Sequence, residues 1–535
     1  MDSSEKEKLR GERREFDEVF KIVREFGMYQ FGLYMLCCTA QIPMSQMVTQ
    51  SLFAFGSPMF HCDDANTTCP PSKCCDNCTT YAFDGPFTST VSEWNLLCDR
   101  AYLGAGIQSS FFAGMLIGSL LSGWLADACG RRTCMYLGAA FMGAFGLGQS
   151  LADCISLLML MRFGVGFSLA GLMLTEFVYL VEMVGPGVRT AVGKTHGVFW
   201  KFGTWVSVLL SYLIRDWRLM VLIGSLLIFY IFVFWRVFPE TARWLMAHDK
   251  LEESLAVLTK CGPKKKNSEL DQHALRTLLE EIRQDEKERE GGLGTRKHTP
   301  LDLVRTPKLR RWTIITCYNW FTVSLVYFGF DLYTTQLPGS IYFNYFIMNL
   351  IDIPVLAFSW FVLYKYGRRL SYFGFMVFAG VASFIVTGLP SEYGTATTAL
   401  AIIGRSLVWS QFNSIYIITG ELFPTVIRNT AMGLASLFAR VGGILSPFIV
   451  MVAQLPGLSI TLPVTIFGVL ALGSAVASLW LPETINADMH QTINEAESAK
   501  EDFGIPCLKR REANMVELDD MRGDDVTQAE QDVNA

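Results

Sequence analysis

Apolar runs of about 20 residues recur along most of this chain, and a run of that length crosses the hydrocarbon core of a bilayer as a helix. Twelve can be read, near 27–53, 102–124, 134–152, 157–181, 191–213, 218–238, 312–333, 341–364, 370–389, 395–420, 429–453 and 459–481. Lipid offers no water to unpaired backbone groups, so a spanning segment is a helix or part of a closed barrel, and uninterrupted apolar stretches fit helices. Composition agrees: 51% of the 535 residues are hydrophobic and only 18% charged, whereas a soluble chain carries about 25% charge. The expected fold class is an all-α membrane protein with 12 transmembrane helices. Gly114, Gly118 and Gly123, and Gly164 and Gly171, are expected where helices approach closely. A formal charge of −5 gives no global basic field, so nucleic acid is not an expected partner.

Lys and Arg sort onto every second connection: Arg131 and Arg132, Arg189, a dense set from Arg243 to Arg311, Arg368 and Arg369, and Arg428. By the positive-inside rule these connections and both termini are expected in the cytosol. Met1 to Phe20 is charged rather than apolar, so no cleavable signal peptide is expected. The segment 55–101 holds Lys73 and Arg100 against Asp63, Asp64, Asp76, Asp84, Glu93 and Asp99, which places it outside. Asn66-Thr67-Thr68 and Asn77-Cys78-Thr79 in it are glycosylation sequons. Cys62, Cys69, Cys74, Cys75, Cys78 and Cys98 crowd into the same loop. An even set in an oxidising compartment reads as a disulfide framework of open connectivity rather than a metal site. The expected organisation is a cytosolic N-terminus (1–26), a first six-helix half (27–238), a cytosolic linker with short helices (239–311), a second half (312–481) and a polar, disordered tail (482–535). No phosphate loop, metal-ligand pattern or nucleophile elbow is present, so neither an enzyme nor a cofactor is expected.

The chain also matches itself at an offset of about 240 residues, as two duplicated six-helix halves would. Gly130-Arg131-Arg132 answers Gly367-Arg368-Arg369, and Arg162 answers Arg405; Glu182 and Arg189 answer Glu421 and Arg428, and Pro239-Glu240-Thr241 answers Pro482-Glu483-Thr484. With these motifs the sequence resembles the major facilitator superfamily, and within it the organic cation, anion and carnitine transporter family, solute carrier family 22. The resemblance spans nearly the whole chain. It includes the cysteine-rich first loop, Gly123-Trp124-Leu125-Ala126-Asp127, Pro239-Glu240-Thr241-Ala242-Arg243-Trp244-Leu245 and Gly420-Glu421-Leu422-Phe423-Pro424-Thr425. It implies two pseudo-symmetric halves, a small organic ion held between them at mid-membrane, and a plasma-membrane carrier for which a monomer suffices.

Asp127, Arg131, Arg132, Arg162, Glu182, Arg189, Glu240, Arg243, Arg368, Arg369, Glu421 and Arg428 are the candidate gating residues, because Arg–carboxylate bridges are directional and broken by rigid-body rotation. Glu182 with Arg189, Glu240 with Arg243, and Glu421 with Arg428 are candidate pairs. Ionisable residues within spans are costly and therefore functional candidates: Arg440, Asp352, Lys201 and Glu176. Asp352 and Arg440 could also pair structurally with each other. The resemblance implies that Arg at position 440 suits anions and zwitterions, and places Trp320, Tyr327 and Trp200 at substrate contacts, with Phe328 and Phe412 alongside. Two cations with an aromatic wall and Asp352 suit a zwitterion or small organic anion. The alternatives are a cation carrier using Asp352 and the aromatic wall, and a non-transporting receptor on the same fold. The coupling ion is left open.

Overall fold

The computed structural model describes residues 16–64, 69–75, 78–262, 272–291, 299–485 and 490–499. Twelve long helices lie over the twelve apolar runs. The first six are α1 (Met28–Ala54), α2 (Ala101–Cys129), α3 (Arg131–Ser150), α4 (Ile155–Met183), α5 (Pro186–Leu213) and α6 (Trp217–Leu227, continued as a 3₁₀ helix over Ile228–Phe234). The second six are α7 (Pro307–Tyr333), α8 (Ile341–Tyr366), α9 (Arg368–Gly388), α10 (Gly394–Leu422), α11 (Arg428–Met451) and α12 (Leu462–Ser478). Seven of these, α2, α4, α6 with its continuation, α7, α8, α9 and α11, are long and apolar enough to cross a membrane on length and composition alone. The others carry more polar side chains or are shorter. In α1 the buried set includes Gln30, Gln41, Gln46 and Gln50, in α5 His196 and Lys201, and in α10 Arg405 and Gln411. These polar groups are turned into protein, where they can be satisfied, rather than into lipid.

Local chemistry sets the helix ends. Pro186 and Pro307 open α5 and α7 at the first turn, where the missing N–H costs nothing. The Asp216 carboxylate accepts the Leu219 N–H at 2.8 Å to cap α6. Gly130 (φ 93°) and Gly367 (φ 95°) separate α2 from α3 and α8 from α9, a backbone conformation that a side chain would strain.

Two compact units divide the chain, Met1–Lys297 and His298–Ala535. In the first, α2 packs along α4, α3 along α4 and α6, and α1 along α5 and α6. In the second, α8 packs along α10, α9 along α10 and α12, and α7 along α11 and α12. The neighbour scheme is thus the same in both halves, as duplication requires.

The expected boundaries shift in three places. The linker is not one segment: helices Ala242–Ala247, Leu251–Cys261 and Gln272–Gly291 belong to the first unit, with Leu258, Leu275, Leu279 and Ile282 buried. Residues 307–311 already belong to α7. The tail is not wholly disordered either: helix Ile493–Ser498 docks on the start of α7, where the Lys308 ammonium donates to the carbonyls of Ala496, Glu497 and Ala499. In the cysteine loop, β1 (Phe60–Cys62) and β2 (Tyr81–Phe83) pair antiparallel with Phe60 opposite Phe83. Three disulfides, Cys62–Cys78, Cys69–Cys75 and Cys74–Cys98, resolve the open connectivity. Asn66 and Asn77 lie outside the described residues.

Close helix approach holds at some of the expected glycines only. A Cβ at Gly114 or Gly118 would run into the backbone of Phe163 or Phe167 on α4, and one at Gly166 into the Phe111 carbonyl on α2. Gly123 has nothing within 4 Å, so it is not a packing glycine. Gly166→Val is therefore expected to destabilise the α2–α4 contact by about 1–3 kcal/mol through overpacking, while Gly123→Val leaves stability unchanged. Thermal unfolding of the purified protein checks the pair, and equal melting temperatures would contradict this packing.

Candidate functional site

One site is assembled twice by the repeat, and a second group, around Arg405, is described in the second half. The first lies where α2 turns into α3. Glu240, just beyond α6, accepts the backbone N–H of Arg131 at 2.9 Å and of Arg132 at 3.1 Å. The Arg131 guanidinium reaches back to Asp127 at 2.8 Å and across to Glu182 on α4 at 3.2 Å. Glu182 in turn accepts the Thr241 hydroxyl at 2.6 Å. Side-chain carboxylate, backbone amide and guanidinium therefore tie the ends of α2, α3, α4 and α6 into one cluster. Burial pushes the Glu240 carboxyl up despite the three amides of Thr241, Arg132 and Arg131 that pull it down.

The second half repeats this almost atom for atom. Glu483 accepts the N–H of Arg368 at 2.8 Å and of Arg369 at 3.2 Å. Arg368 binds Glu421 on α10 at 3.1 Å through two nitrogens. Thr484 donates its hydroxyl to Glu421 at 2.6 Å. The Pro-Glu-Thr motifs thus supply the carboxylate that holds the α2–α3 and α8–α9 turns and the hydroxyl that orients the helix-borne Glu.

The pairings differ from those suggested by spacing. Glu182 and Glu421 are bound by Arg131 and Arg368, not by Arg189 and Arg428. Arg189 instead makes a bidentate pair with Asp17 at 2.6 and 2.7 Å, which Arg243 joins at 3.2 Å. The hydrogen bond from Arg189 holds the Asp17 carboxyl below its usual range. Arg428 donates to the Phe423 carbonyl and the Thr425 hydroxyl, both at 3.3 Å. The Arg132 side chain donates to the Trp235 carbonyl at 2.8 Å and covers that ring at 4.5 Å. Asp17 sits in a charged N-terminal stretch with no periodicity, so nothing in the sequence marked it.

Arg162 does not join this cluster. It lies two turns into α4 from the opposite end, about 30 Å along the helix from Glu182. There it is 1% exposed, with Phe55 and Phe111 rings each 4.5 Å from its guanidinium. Its repeat mate Arg405 has a different setting. Arg405 on α10 is fully buried and contacts Asp331 on α7 at 2.8 Å, Asp352 on α8 at 2.5 Å and the Tyr327 hydroxyl at 3.2 Å. Asp352 is therefore held by Arg405 rather than by Arg440. The repeat marks Arg405 in the sequence through its match to Arg162, whereas no motif marks Asp331.

Around this triad the second half gathers its aromatic residues. Tyr327 stacks on Phe412 at 6.0 Å and meets Phe328 at 4.9 Å. Trp320 lies 4.4 Å from Tyr416 and donates its indole N–H to Thr419 at 2.9 Å. Arg440 on α11 is half-buried beside Tyr416, and its Nε has no hydrogen-bond partner among the described residues. Arg440, Asp352, Trp320, Tyr327 and Phe328 thus come together in the second unit. Lys201, buried, and its neighbour Trp200, half-buried, lie on α5 in the first.

The profile of the family described as "Sugar (and other) transporter" matches residues 70–495. An "Organic cation transporter protein" of Drosophila melanogaster is 30% identical over 523 residues, covering 90% of this chain and 94% of its own length. "Solute carrier family 22 member 6-B" of Xenopus laevis is 33% identical, with 77% and 74% covered, and human "Solute carrier family 22 member 13" is 31% identical, with 79% and 75% covered. Among solved structures, the inward-open xylose transporter XylE from E. coli superposes with a TM-score of 0.62 at 13% identity, covering 86% of this chain and 98% of its own, which shows a shared fold. These are membrane carriers and not enzymes. Duplicated helix packing, the twice-built Arg–Glu–Thr network and full-length likeness converge: the chain belongs to the sugar (and other) transporter family of the major facilitator superfamily, within solute carrier family 22.

Proposed function

We propose that this protein is a plasma-membrane carrier that moves small organic ions by alternating access, with zwitterions and organic anions as its preferred cargo and both termini in the cytosol. The transported class follows the names of its relatives, which include organic cation transporters and solute carrier family 22 members. The preference rests on one observation: a half-buried Arg440 with an unpartnered Nε stands beside the aromatic group of Trp320, Tyr416 and Phe412. A guanidinium edge of that kind takes a carboxylate or sulfonate, and the ring faces take the apolar or cationic part of the same molecule. Nearby, Asp331 and Asp352 flank Arg405, and their carboxylates are groups to which the positive end of a zwitterion could turn.

The cation reading keeps one argument in its favour, the names of the Drosophila relatives, an "Organic cation transporter protein" and an "Organic cation transporter-like protein". It has to do without a free Asp352, whose carboxylate is taken by Arg405. Uptake of a carnitine-like zwitterion, a dicarboxylate and a quaternary ammonium dye, measured side by side, separates the readings. Arg440→Asp is expected to lower zwitterion and anion uptake relative to the dye by at least about tenfold, the worth of one charge-assisted hydrogen bond pair. Unchanged selectivity would remove Arg440 from the site.

The two Arg–Glu–Thr networks join helices within each half, so we read them as devices that make each half move as a rigid body. Glu182→Gln and Glu421→Gln are expected to slow uptake several-fold with surface delivery retained, since the first leaves Arg131 only the exposed Asp127 and the second takes from Arg368 the carboxylate it binds. Surface biotinylation and initial-rate uptake test this, and wild-type rates in both variants would refute it. Breaking the Arg405 triad should act on stability instead: Asp352→Asn is expected to cost about 3–5 kcal/mol, as removal of one partner from a buried pair does, seen as a lowered melting temperature.

A further inference from the structure

The first half holds a second buried acid–base group, which the transport reading above leaves unused. Glu176 on α4 is fully buried. One carboxylate oxygen accepts the Gln41 side-chain N–H from α1 at 2.6 Å. The other faces Nε2 of His196 on α5 at 3.5 Å, and His196 is itself only 7% exposed. At that distance neither Oε1 of Glu176 nor Nε2 of His196 has a hydrogen-bond partner among the described residues. Two groups able to hold a proton thus face each other, both buried.

Charge arithmetic then fixes what the pair does. One proton shared by Glu176 and His196 gives zero net charge, whether it sits on the imidazole or on the carboxyl. Losing it leaves a bare carboxylate in a buried site, and a second proton leaves a net cation; both are costly there. The other ionisable groups around it do not cancel this choice. From α1 come Tyr34, Cys37 and Cys38, and from the 3₁₀ stretch after α6 comes Tyr230, which donates to Thr39. On α4 itself lie Tyr179 and Glu182. From α2 and α3 come Asp127, Arg131, Arg132, Cys134 and Tyr136, of which Arg131 pairs with Asp127 and Glu182 and Arg132 is bound at Trp235. Arg243, in the helix packed on α4, pairs with Asp17. Lys194 and Lys201 share α5 with His196, two residues before it and five after, away from its angular position.

We propose that Glu176 and His196, with Gln41, form a proton-binding site whose occupancy is linked to the movement of the organic ion, so that transport is proton-coupled. The three side chains come from α1, α4 and α5, so any rearrangement of these helices changes the 3.5 Å gap and with it the hold on the proton. This inference rests on the carrier reading for its second part only; the proton site itself does not need a substrate.

Two measurements test it and keep the two readings apart. Infrared difference spectra of the purified protein between about pH 5.5 and pH 8, the range in which an imidazole titrates, are expected to contain a carboxyl or imidazole change that disappears in both Glu176→Gln and His196→Gln. A difference spectrum identical to wild type in both variants overturns the site. In liposomes at clamped membrane potential, initial uptake of the preferred cargo is expected to change about three- to tenfold across the same range, and to become flat in Glu176→Gln. PH-independent wild-type uptake, or an unaltered profile in Glu176→Gln, overturns the coupling. If the spectral change is present and no cargo of the panel moves at any pH, the organic-ion reading fails while the proton site stands.

Discussion

A bilayer cannot hydrate a polar group, so every amide, carboxylate and guanidinium at membrane depth must be answered from within the protein. The construction of both halves follows from that requirement. Five of the twelve long helices fall short of the apolarity or length that alone would commit them to lipid, and they bury polar side chains such as Gln41, Gln149, Lys201 and Arg405. The fully buried Arg405 is tolerable because Asp331, Asp352 and the Tyr327 hydroxyl surround it. Where an answer is incomplete, as at the Arg440 edge or between Glu176 and His196, the residual polarity is available to a ligand or a proton.

The helix ends meet the same requirement with a device used twice. A glycine in the left-handed region turns the chain sharply, and the two amides that follow it would be orphaned at the start of the next helix. Glu240 and Glu483 take those amides, and the Arg just after each glycine takes the Glu of the fourth or tenth helix. A Cβ at Gly130 would collide with the Glu240 carboxylate itself, so glycine there is required by space as well as by φ. The network joins helices of one half to each other, which is the basis on which we propose that each half moves as a body.

Much of this was legible before any coordinates. The twelve spans, the duplication, the cysteine framework and the chemistry of the Gly-Arg-Arg, Glu and Pro-Glu-Thr motifs are written in runs and repeats, which survive reading one residue at a time. Partner identity was not. Arg189 sits seven residues from Glu182, yet bonds Asp17 across more than 170 residues of chain. Asp352 and Arg440 are both mid-span charges in one half, which suggests a pair, whereas the helix scheme brings α8 along α10 and so gives Asp352 to Arg405. Sequence spacing orders residues along one helix; which helix faces it is a matter of packing.

What the sequence determined by itself was therefore the solvent and the symmetry: apolar length selects lipid, lipid selects helices, and a repeat of about 240 residues selects two like halves. Only the tertiary structure decided which charges neutralise one another and which are left with capacity to spare. The physical reason is that a charge's meaning in a low-dielectric interior is set by neighbours within a few ångströms. For Glu176, His196 and Gln41, or Arg405, Asp331 and Asp352, those neighbours come from three different helices.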